Sequence, residues 1–543
     1  MRGRGSPRRS GRHRRPAPRP GPRRRPVRAE APSARQAVEE LLRDRLGRIG
    51  FPVAVEEEAA AVAARLRRDP GPRRDLTALA TFTVDPATAR DFDDAVSAQR
   101  EGEGARVWVH IADVAAHVKP GTPLDEEARR RANSTYVPGA VEPMLPHALS
   151  SDACSLAPGV ERLAVTTEIE LGPGMRPVRA RFYRSVIRSD ARLDYDRLDA
   201  IFAGRARPPA EVAEPLRAAR EVAAGLAERR RGSSLDIESA EPEFRFDAEG
   251  GVVGARRVAQ TEAHRLIERL MILANEQVAE HLSRRRVPTV YRVHPRPDPT
   301  RVELLLEQLA ALGVPTPPLR EGLSPQMAAE VPAEAARMAR REARRRGHGL
   351  EAYTSLVLRS LKQASYSERN TGHAGLGSDA YAHFTSPIRR YPDLVAHRAL
   401  LAALGEGEEA PRLAEAREVA AHASARERES AKVEHEADDV CAAYLLEREL
   451  GERGLDAEFE GEVTGVIEGA AFVSFAGELG DVYEGMLPAR LLPGGRYELD
   501  RLEVALVEPR TKTTIRLGDP LRVRVTGVDA PRGRAELELV AGG

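Results

Sequence analysis

Residues 83–96 read TVDPATARDFDDAV, and the interpretation of the whole chain starts from this stretch. Four aspartates fall within ten residues, directly after a β-prone run: Asp85, Asp91, Asp93 and Asp94. Carboxylates packed this closely repel one another, so a strand-to-loop segment holds them together only if cations neutralise their charge. Oxygen-only ligands favour Mg²⁺ or Mn²⁺ over zinc. The spacing therefore predicts a divalent-metal site on these four residues.

Two alternatives compete with this metal site. A calcium-binding EF-hand loop fails on spacing, because position five counted from Asp91 is Ala95, position six is not glycine, and position twelve is Gly102 instead of glutamate. A solvated acidic turn stays open, since acids commonly occupy turns. Phe92 and the flanking valines argue against that turn, because they anchor the segment to a core.

An acidic site of this kind suits phosphodiester hydrolysis. That reaction builds negative charge on the attacking oxygen, the leaving oxygen and the non-bridging oxygens of the phosphate. Two metal ions about 3.5–4 Å apart stabilise both ends of an in-line displacement, and one of them lowers the pKa of the attacking water. Four carboxylates are enough to hold such a pair.

Composition narrows the class of protein. The chain has 543 residues, of which 41% are hydrophobic and 31% charged, which predicts a soluble globular protein of about two to four folding units. It contains no run of about 18 apolar residues and no apolar N-terminal stretch, so we expect neither a membrane span nor a secretory signal. The two cysteines, Cys154 and Cys441, are far apart in sequence, which favours buried thiols in a reducing cytoplasm.

Charge is distributed unevenly along the chain. Residues 1–35 hold thirteen arginines against one acid, which leaves −11 on the rest of a chain whose net charge is +1. This Arg-, Pro- and Gly-rich tail cannot bury a core, and we expect it to be disordered. It either tethers RNA through phosphate contacts or is a solvated extension, and composition alone does not decide between the two.

Patterning divides the remainder into three parts. Residues 36–75 read as a small helical region. Residues 76–450 begin with short β-prone runs separated by Pro/Gly turns and continue as long amphipathic helices. Residues 455–543 return to β patterning, with about five strands in roughly 85 residues, which is typical of a small barrel of the OB type.

A second group of candidate functional residues lies far from the aspartates in sequence. Residues 372–377 read GHAGLG and residues 381–398 read YAHFTSPIRRYPDLVAHR. Glycines and the Ser-Pro pair set a tight loop, and an apolar helix is predicted to start near Asp393. The adjacent Arg389 and Arg390 could clamp phosphate oxygens with their planar guanidinium forks, or they could form ordinary salt bridges at the helix start.

These motifs, taken in order, resemble the RNB family of ribonuclease II and ribonuclease R. DPATARDFDDAV resembles the family's metal-binding motif, and residues 109–164 resemble the block that follows it. The family pattern also matches AHRLIERLMILANEQVA, YRVHPRPDP and the two segments at 372–377 and 381–398. The resemblance therefore runs from about 76 to 450. It implies an α+β multidomain fold, in which a mixed β-sheet surrounded by helices encloses an RNA channel and is followed by a C-terminal OB-fold barrel.

The resemblance also implies roles for single residues. Asp85, Asp91 and Asp94 match metal-coordinating acids, and Asp93 matches the metal-site acid whose loss is expected to stop catalysis with least effect on RNA binding. Arg389 matches the arginine that steadies the scissile phosphate, and Arg390 matches a neighbouring phosphate contact. Candidate RNA contacts are Tyr136, which would stack on the terminal base, Glu434 near the 3′ end, and Phe472 in the barrel.

The aromatic candidates also fit purely structural roles. Tyr136 could be a core tyrosine, and Phe472 could belong to the barrel core, with Phe475 as a second stacking candidate beside it. The aromatic wall that should oppose Tyr136 cannot be assigned, although Pro297 stands close to where some members carry an aromatic. An arginine-rich segment at 337–346 either lines the RNA path or is a solvated helix face.

The N-terminal part departs from the family pattern. Full-length members carry two cold-shock-type OB domains before the catalytic domain, whereas about 75 residues precede it here. We therefore expect one RNA-gathering surface to be absent or replaced, which puts substrate affinity and entry into duplex RNA in doubt.

The function implied is hydrolytic 3′→5′ exoribonuclease activity. Such an enzyme degrades single-stranded RNA processively to nucleoside 5′-monophosphates with Mg²⁺, or Mn²⁺, and we expect a cytoplasmic monomer. The alternative is a catalytically inactive RNA-binding protein on the same fold. Inactive relatives typically lose one or more acids, whereas all four aspartates and both arginines are present here, which favours the enzyme. No sequence feature favours an endonuclease or a scaffold.

Overall fold

The structure is a computed structural model that describes residues 32–47, 49–68, 71–230, 240–318 and 325–540. Nearly all of the basic segment predicted at 1–35 lies outside these ranges. Within the described ranges, none of the helices combines the length and apolar character needed to cross a membrane.

Two helices precede the first sheet, α1 (Ala34–Leu46) and α2 (Val53–Arg68). A capping box starts α1, because the Ser33 hydroxyl accepts the Gln36 N–H and the Gln36 side chain accepts the Ser33 N–H. Helix α1 packs into the hydrophobic core that contains the C-terminal barrel, whereas α2 packs into the core of the central sheet. The helices predicted at 36–75 are therefore present, but each is attached to a different core.

A seven-stranded mixed sheet forms the centre of the next region. Its elements and their neighbours are β1 (Arg74–Asp75), β2 (Phe82–Asp85), β3 (Asp94–Glu101), β4 (Gly104–Ala112), α3 (Val114–His117), α4 (Pro123–Arg131), β5 (Thr135–Val137), β6 (Ala140–Glu142), β7 (Glu161–Gly172), β8 (Arg176–Arg188), β9 (Ala191–Asp194), α5 (Tyr195–Phe202) and α6 (Ala213–Arg229). The strand order is β1-β8-β7-β4-β3-β2-β9. Only the outer pairs, β1 with β8 and β2 with β9, are parallel.

Several helices pack around this sheet, as the sequence predicted, and others pack into the core that contains the C-terminal barrel. The elements that follow are β10 (Ala240–Phe246), β11 (Val252–Ala259), α7 (Glu262–Arg285), β12 (Tyr291–Val293), α8 (Pro299–Ala311), α9 (Pro325–Arg346), α10 (Leu350–Ser360), β13 (Ser365–Ser367), α11 (Tyr391–Leu404) and α12 (Leu413–Arg453). Helix α7 buries Leu266, Leu270 and Val278 at helical spacing, so the apolar face read from its sequence is the face that packs on the sheet.

The C-terminal region is a closed five-stranded barrel. The region contains eight strands, of which five form the barrel: β14 (Glu458–Ile467), β15 (Ala470–Phe475), β16 (Tyr483–Pro488), β17 (Glu498–Leu499), β18 (Ala505–Val507), β19 (Thr514–Arg516), β20 (Pro520–Asp529) and β21 (Arg534–Leu539). The barrel order is β14-β15-β16-β21-β20, and β17 to β19 form a small separate sheet in the connection between β16 and β20. This connectivity confirms the predicted OB-type fold.

The barrel docks on helix α12 through the turn between β20 and β21. Gly533 in that turn has φ +63°, and a Cβ added to it would lie 2.7 Å from the Asp439 carbonyl carbon. Gly469 also has a positive φ, +88°, but a Cβ there would meet nothing within 4 Å. Both glycines therefore have a backbone conformation that is unfavourable for other residues, but only Gly533 also lies too close to the helix to accept a Cβ.

We expect Gly533→Ala to lower the free energy of unfolding by about 1–3 kcal/mol more than Gly469→Ala does, because only the first adds overpacking to the unfavourable φ. Urea denaturation followed by circular dichroism measures both variants. Equal losses of stability would contradict a tight barrel–helix contact at Gly533.

Candidate active site

Most of the residues singled out in the sequence line one cleft. The cleft has a volume of about 750 Å³ and lies where the sheet, helices α7 and α12, and the loop before α11 meet. Eight of the nine candidate residues line it: Asp85, Asp91, Asp93, Asp94, Tyr136, Arg389, Arg390 and Glu434. Segments almost 350 residues apart in the chain, as Asp85 and Glu434 are, thus share a single site.

The sheet itself places the acids. Asp85 is the last residue of β2 and Asp94 the first of β3, and these neighbouring strands are antiparallel. The end of one strand and the start of the next therefore lie at the same edge of the sheet, and the connecting loop carries Asp91 and Asp93. Phe92 in this loop is buried, which is the anchor expected from the sequence and excludes a freely solvated acidic turn.

The aspartates repel one another in a poorly solvated place. Burial, together with the charges of Asp94, Asp93 and Asp91, raises the pKa of Asp85 to about 8. Burial raises the pKa of Asp94 to about 6 against the lowering effect of nearby arginines, and it raises the pKa of Asp93 well above its usual range. Ionisation of Asp85, Asp93 and Asp94 is therefore unfavourable despite the nearby arginines, so additional positive charge would stabilise the cluster.

The oxygen atoms of the four aspartates are of the chemical type that binds a divalent cation. Asp85 Oδ2 and Asp93 Oδ2 are buried without a hydrogen-bond partner, and such oxygens are costly unless another group supplies the missing interaction. An all-oxygen set favours Mg²⁺ or Mn²⁺. Across the described residues, however, no group of three or more His, Cys, Asp or Glu side chains is arranged as a finished metal site. The chemistry fits, and the side chains have to turn toward one another to act as ligands.

Two protein donors hold the loop aspartates. The Ile388 N–H donates to Asp93 Oδ1 at 2.8 Å, and the Tyr136 hydroxyl donates to Asp91 Oδ2 at 2.9 Å. Burial and the adjacent Asp91 charge raise the pKa of Tyr136 far above its usual range, so the hydroxyl stays protonated at neutral pH. Each of these aspartates has one oxygen fixed by the protein.

The two arginines have different environments. The Arg389 side chain is 48% exposed, and its Nε lies 3.5 Å from Asp93 Oδ2, too far for a hydrogen bond. Arg390 instead forms a two-pronged pair with Asp393, at 2.9 Å from Nε and 2.7 Å from Nη2, and the Asp393 side chain is fully buried. Arg389 is therefore the arginine with donors available to a ligand, while Arg390 fits the salt-bridge alternative considered from the sequence.

Backbone pairing joins the tyrosine segment to the arginine segment. Ser134 N donates to Arg389 O at 3.0 Å, and Tyr391 N donates to Ala132 O at 2.8 Å. These bonds place Tyr136 and Arg389 on neighbouring chain segments beside the aspartates. Tyr136 is 36% exposed, which argues against the core-tyrosine alternative.

Phe472 lies away from the cleft, on the partly exposed face of β15 opposite Met486 of β16. Phe475 on the same strand is 3% exposed and packs against Phe459 and Tyr483 in the barrel core. Phe475, the second stacking candidate, is therefore a core residue, whereas Phe472 is partly exposed and not part of the buried barrel core.

Two further sequence hypotheses have structural outcomes. Pro297 is buried and does not line the cleft, so it supplies no wall opposite Tyr136. In the arginine-rich helix α9, Arg345 and Arg346 both pair with Glu342, which favours a structural role over an RNA path for these two side chains.

The sequence did not reveal a stacked pair at the cleft. The rings of Tyr195 and His264 lie 3.8 Å apart at an interplanar angle of 13°, and both residues line the cleft. Tyr195 directly follows β9, whose register pairs Asp194 with Asp85 of β2. Only this parallel strand pairing could have indicated that Tyr195 lies at the cleft, and the pairing cannot be recognised from the local sequence pattern.

Comparison with known proteins agrees with the geometry. The family model for the RNB domain matches residues 73–406. The ribonuclease R of Aquifex aeolicus is 38% identical over 479 residues, which are 86% of this chain and 65% of that protein. The ribonuclease R of Thermotoga maritima is 35% identical over 514 residues, covering 90% of this chain and 68% of that protein.

A solved structure of Mycoplasma genitalium RNase R in complex with ribose-methylated single-stranded RNA has a TM-score of 0.84 and 27% identity, covering 94% of this chain and 78% of that chain. The chain spans about three fifths of the length of the curated relatives it matches. The matched range of the family model contains both the aspartate loop and the arginine loop of the cleft. On this evidence the chain belongs to the RNB family.

Proposed function

We propose that this chain is a hydrolytic 3′→5′ exoribonuclease that degrades single-stranded RNA processively to nucleoside 5′-monophosphates with a divalent cation, Mg²⁺ or Mn²⁺. One observation carries the proposal: four aspartates lie in one cleft with an arginine whose side chain is 48% exposed. Similarity to ribonuclease R proteins, one of them solved with single-stranded RNA, supports RNA as the substrate.

Asp85, Asp91, Asp93 and Asp94 would hold the cation. When bound, it lowers the pKa of a water molecule and neutralises charge that builds on the phosphate. Arg389 contributes from the protein itself, because its available N–H groups can form charge-assisted hydrogen bonds to a non-bridging phosphate oxygen as negative charge develops. Its Nε lies 3.5 Å from Asp93 Oδ2, an ion-pair distance without a hydrogen bond, which leaves its N–H groups able to bind a phosphate oxygen.

Tyr136 would position the substrate. Stacking of a base on its partly exposed ring is worth about 1–3 kcal/mol and does not discriminate among bases, because every base has a π-face. An exonuclease that moves along any RNA needs contacts of this sequence-tolerant kind. Glu434 supports the platform, since its carboxylate accepts the Tyr136 backbone N–H at 2.8 Å.

The alternative is an RNA-binding protein that has kept the fold and lost the chemistry. Four aspartates with two buried, unpaired oxygens are costly to retain in a protein that only binds an anionic polymer. The charge of the cleft therefore favours the enzyme, because a pure binding site for RNA would gain from replacing these acids.

The function is tested with single-stranded RNA labelled at the 5′ or 3′ end, incubated with the protein and either Mg²⁺ or EDTA. We expect 3′-labelled RNA to release labelled nucleoside 5′-monophosphate at once, while 5′-labelled RNA remains long until it collapses to a short end product. EDTA should abolish both changes. Cleavage of circular RNA, or tight binding without any product in Mg²⁺, would contradict the proposal.

A further inference from the structure

Tyr136 is held at both of its ends. Its backbone N–H donates to Glu434 Oε1 on helix α12, and its hydroxyl donates to Asp91 Oδ2 at 2.9 Å. One turn earlier on α12, the Ser430 hydroxyl bonds the side chains of Asn133 and Thr135, each at 2.8 Å. Because Ser430 and Glu434 stand four residues apart, one face of α12 fixes the backbone from which the Tyr136 ring projects.

The hydroxyl of Tyr136 acts on one particular acid. Asp91 lies in the loop between β2 and β3, outside the strands whose ladder bonds would fix its position. Asp93, in the same loop, has Oδ1 fixed by the Ile388 N–H and Oδ2 left buried without a hydrogen bond. Asp91 follows the same pattern, with Oδ2 fixed by Tyr136 and no described residue donating to its other oxygen.

The same arrangement is found where residues around a metal site donate hydrogen bonds to the carboxylates that bind the metal. A donor on one oxygen orients the group and leaves the other oxygen for a cation, and loss of such a donor typically costs 10- to 100-fold in metal affinity. The chain supplies a backbone donor for Asp93 and a side-chain donor for Asp91. Only the second can be removed by a substitution that leaves the backbone unchanged.

We propose that the Tyr136 hydroxyl is a positioning group for Asp91, so that the side chain that stacks on the RNA base also orients a ligand of the cation. This inference rests on the proposed function, which supplies the cation and the base. The structural link is direct: helix α12 sets the backbone of Tyr136, and Tyr136 sets Asp91. The tyrosine on which the RNA base stacks and the metal site are then linked by a direct hydrogen bond.

The test is a titration of the full chain with MnCl₂ by isothermal calorimetry, without RNA. Tyr136→Phe keeps the ring and removes the hydroxyl, and we expect it to weaken Mn²⁺ binding about tenfold or more. Tyr183→Phe is the matched control, since it removes a tyrosine–carboxylate hydrogen bond of 2.8 Å to Glu168, outside the cleft. This control should bind Mn²⁺ as the unchanged protein does.

RNA binding in EDTA supplies the second measurement. Tyr136→Phe should bind 5′-labelled single-stranded RNA within about twofold of the unchanged protein, because stacking needs only the ring, whereas Tyr136→Ala should weaken it about tenfold. Equal Mn²⁺ affinities of the unchanged protein and Tyr136→Phe would overturn this inference alone. Failure of the unchanged protein to bind Mn²⁺ would overturn the proposed metal-dependent function together with it.

Discussion

Asp93→Asn is expected to reduce RNA hydrolysis about 10³-fold or more while RNA binding stays close to that of the unchanged protein. The carboxylate is 4% exposed, and asparagine has nearly its volume and can still accept the Ile388 N–H through its amide oxygen. What the substitution removes is the charge that would hold a cation and face Arg389. Metal-assisted stabilisation is worth several kcal/mol in the transition state, which corresponds to this loss of rate.

Single-turnover cleavage of labelled RNA in Mg²⁺ measures the rate, and filter binding of the same RNA measures the affinity. Asp456→Asn, an identical change at an exposed loop position before the barrel, serves as the control and should leave both values unchanged. Asp93→Asn should not destabilise the fold, because burial raises the pKa of Asp93 and so already disfavours its charged form. Near-normal cleavage by Asp93→Asn would show that this acid is not part of the chemistry.

The acids and the barrel could be predicted because their signals are local. Four aspartates after a β-prone run, and five short strands closed by turns, are visible within windows of about 10 and 85 residues. The structure places the aspartates at one sheet edge and closes the five strands into a barrel of OB order. The apolar face of α7 was readable for the same reason, since Leu266 and Leu270 repeat at helical spacing.

Contacts between distant segments could not be predicted in the same way. Tyr195 reaches the cleft because β9 pairs with β2, and that pairing joins residues more than 100 positions apart. Helices α1 and α2 are adjacent in sequence, yet they pack on different cores. Pattern recognises which face of a helix is apolar, but the partner of that face is decided by the global topology.

The different environments of the two arginines also could not be predicted without the structure. From the residue types alone, phosphate binding and salt bridging were both open for the two arginines, and the family resemblance implied that Arg389 steadies the scissile phosphate and that Arg390 makes a neighbouring phosphate contact. The structure separates them, because Arg390 is bound in two places by Asp393 and Arg389 has no comparable partner among the described residues. Side-chain direction at a helix start depends on the local backbone, which the letters RR do not specify.

We therefore expect Arg389→Ala and Arg390→Ala to fail in different ways. Arg389→Ala should lower the rate of RNA hydrolysis about 10²- to 10³-fold, as removal of one transition-state donor does, because its half-exposed guanidinium is the donor available to the phosphate. Its effect on the free energy of unfolding should stay below about 1 kcal/mol, since the side chain makes no buried bidentate pair within the described part of the chain. Rate and stability are measured on the same preparation, by single-turnover cleavage and by urea denaturation.

Arg390→Ala should destabilise the protein by about 3–5 kcal/mol, because it leaves the fully buried carboxylate of Asp393 without its arginine partner. That carboxylate also accepts the Ser386 N–H at 2.9 Å, so the loop that carries Arg389 should loosen with it. Because Arg389 is still present in Arg390→Ala, cleavage per folded molecule should fall less than in Arg389→Ala at a temperature where Arg390→Ala is folded. If Arg390→Ala keeps full stability and loses the same rate, Arg390 binds the phosphate directly, and its pairing with Asp393 is not what the site requires of it.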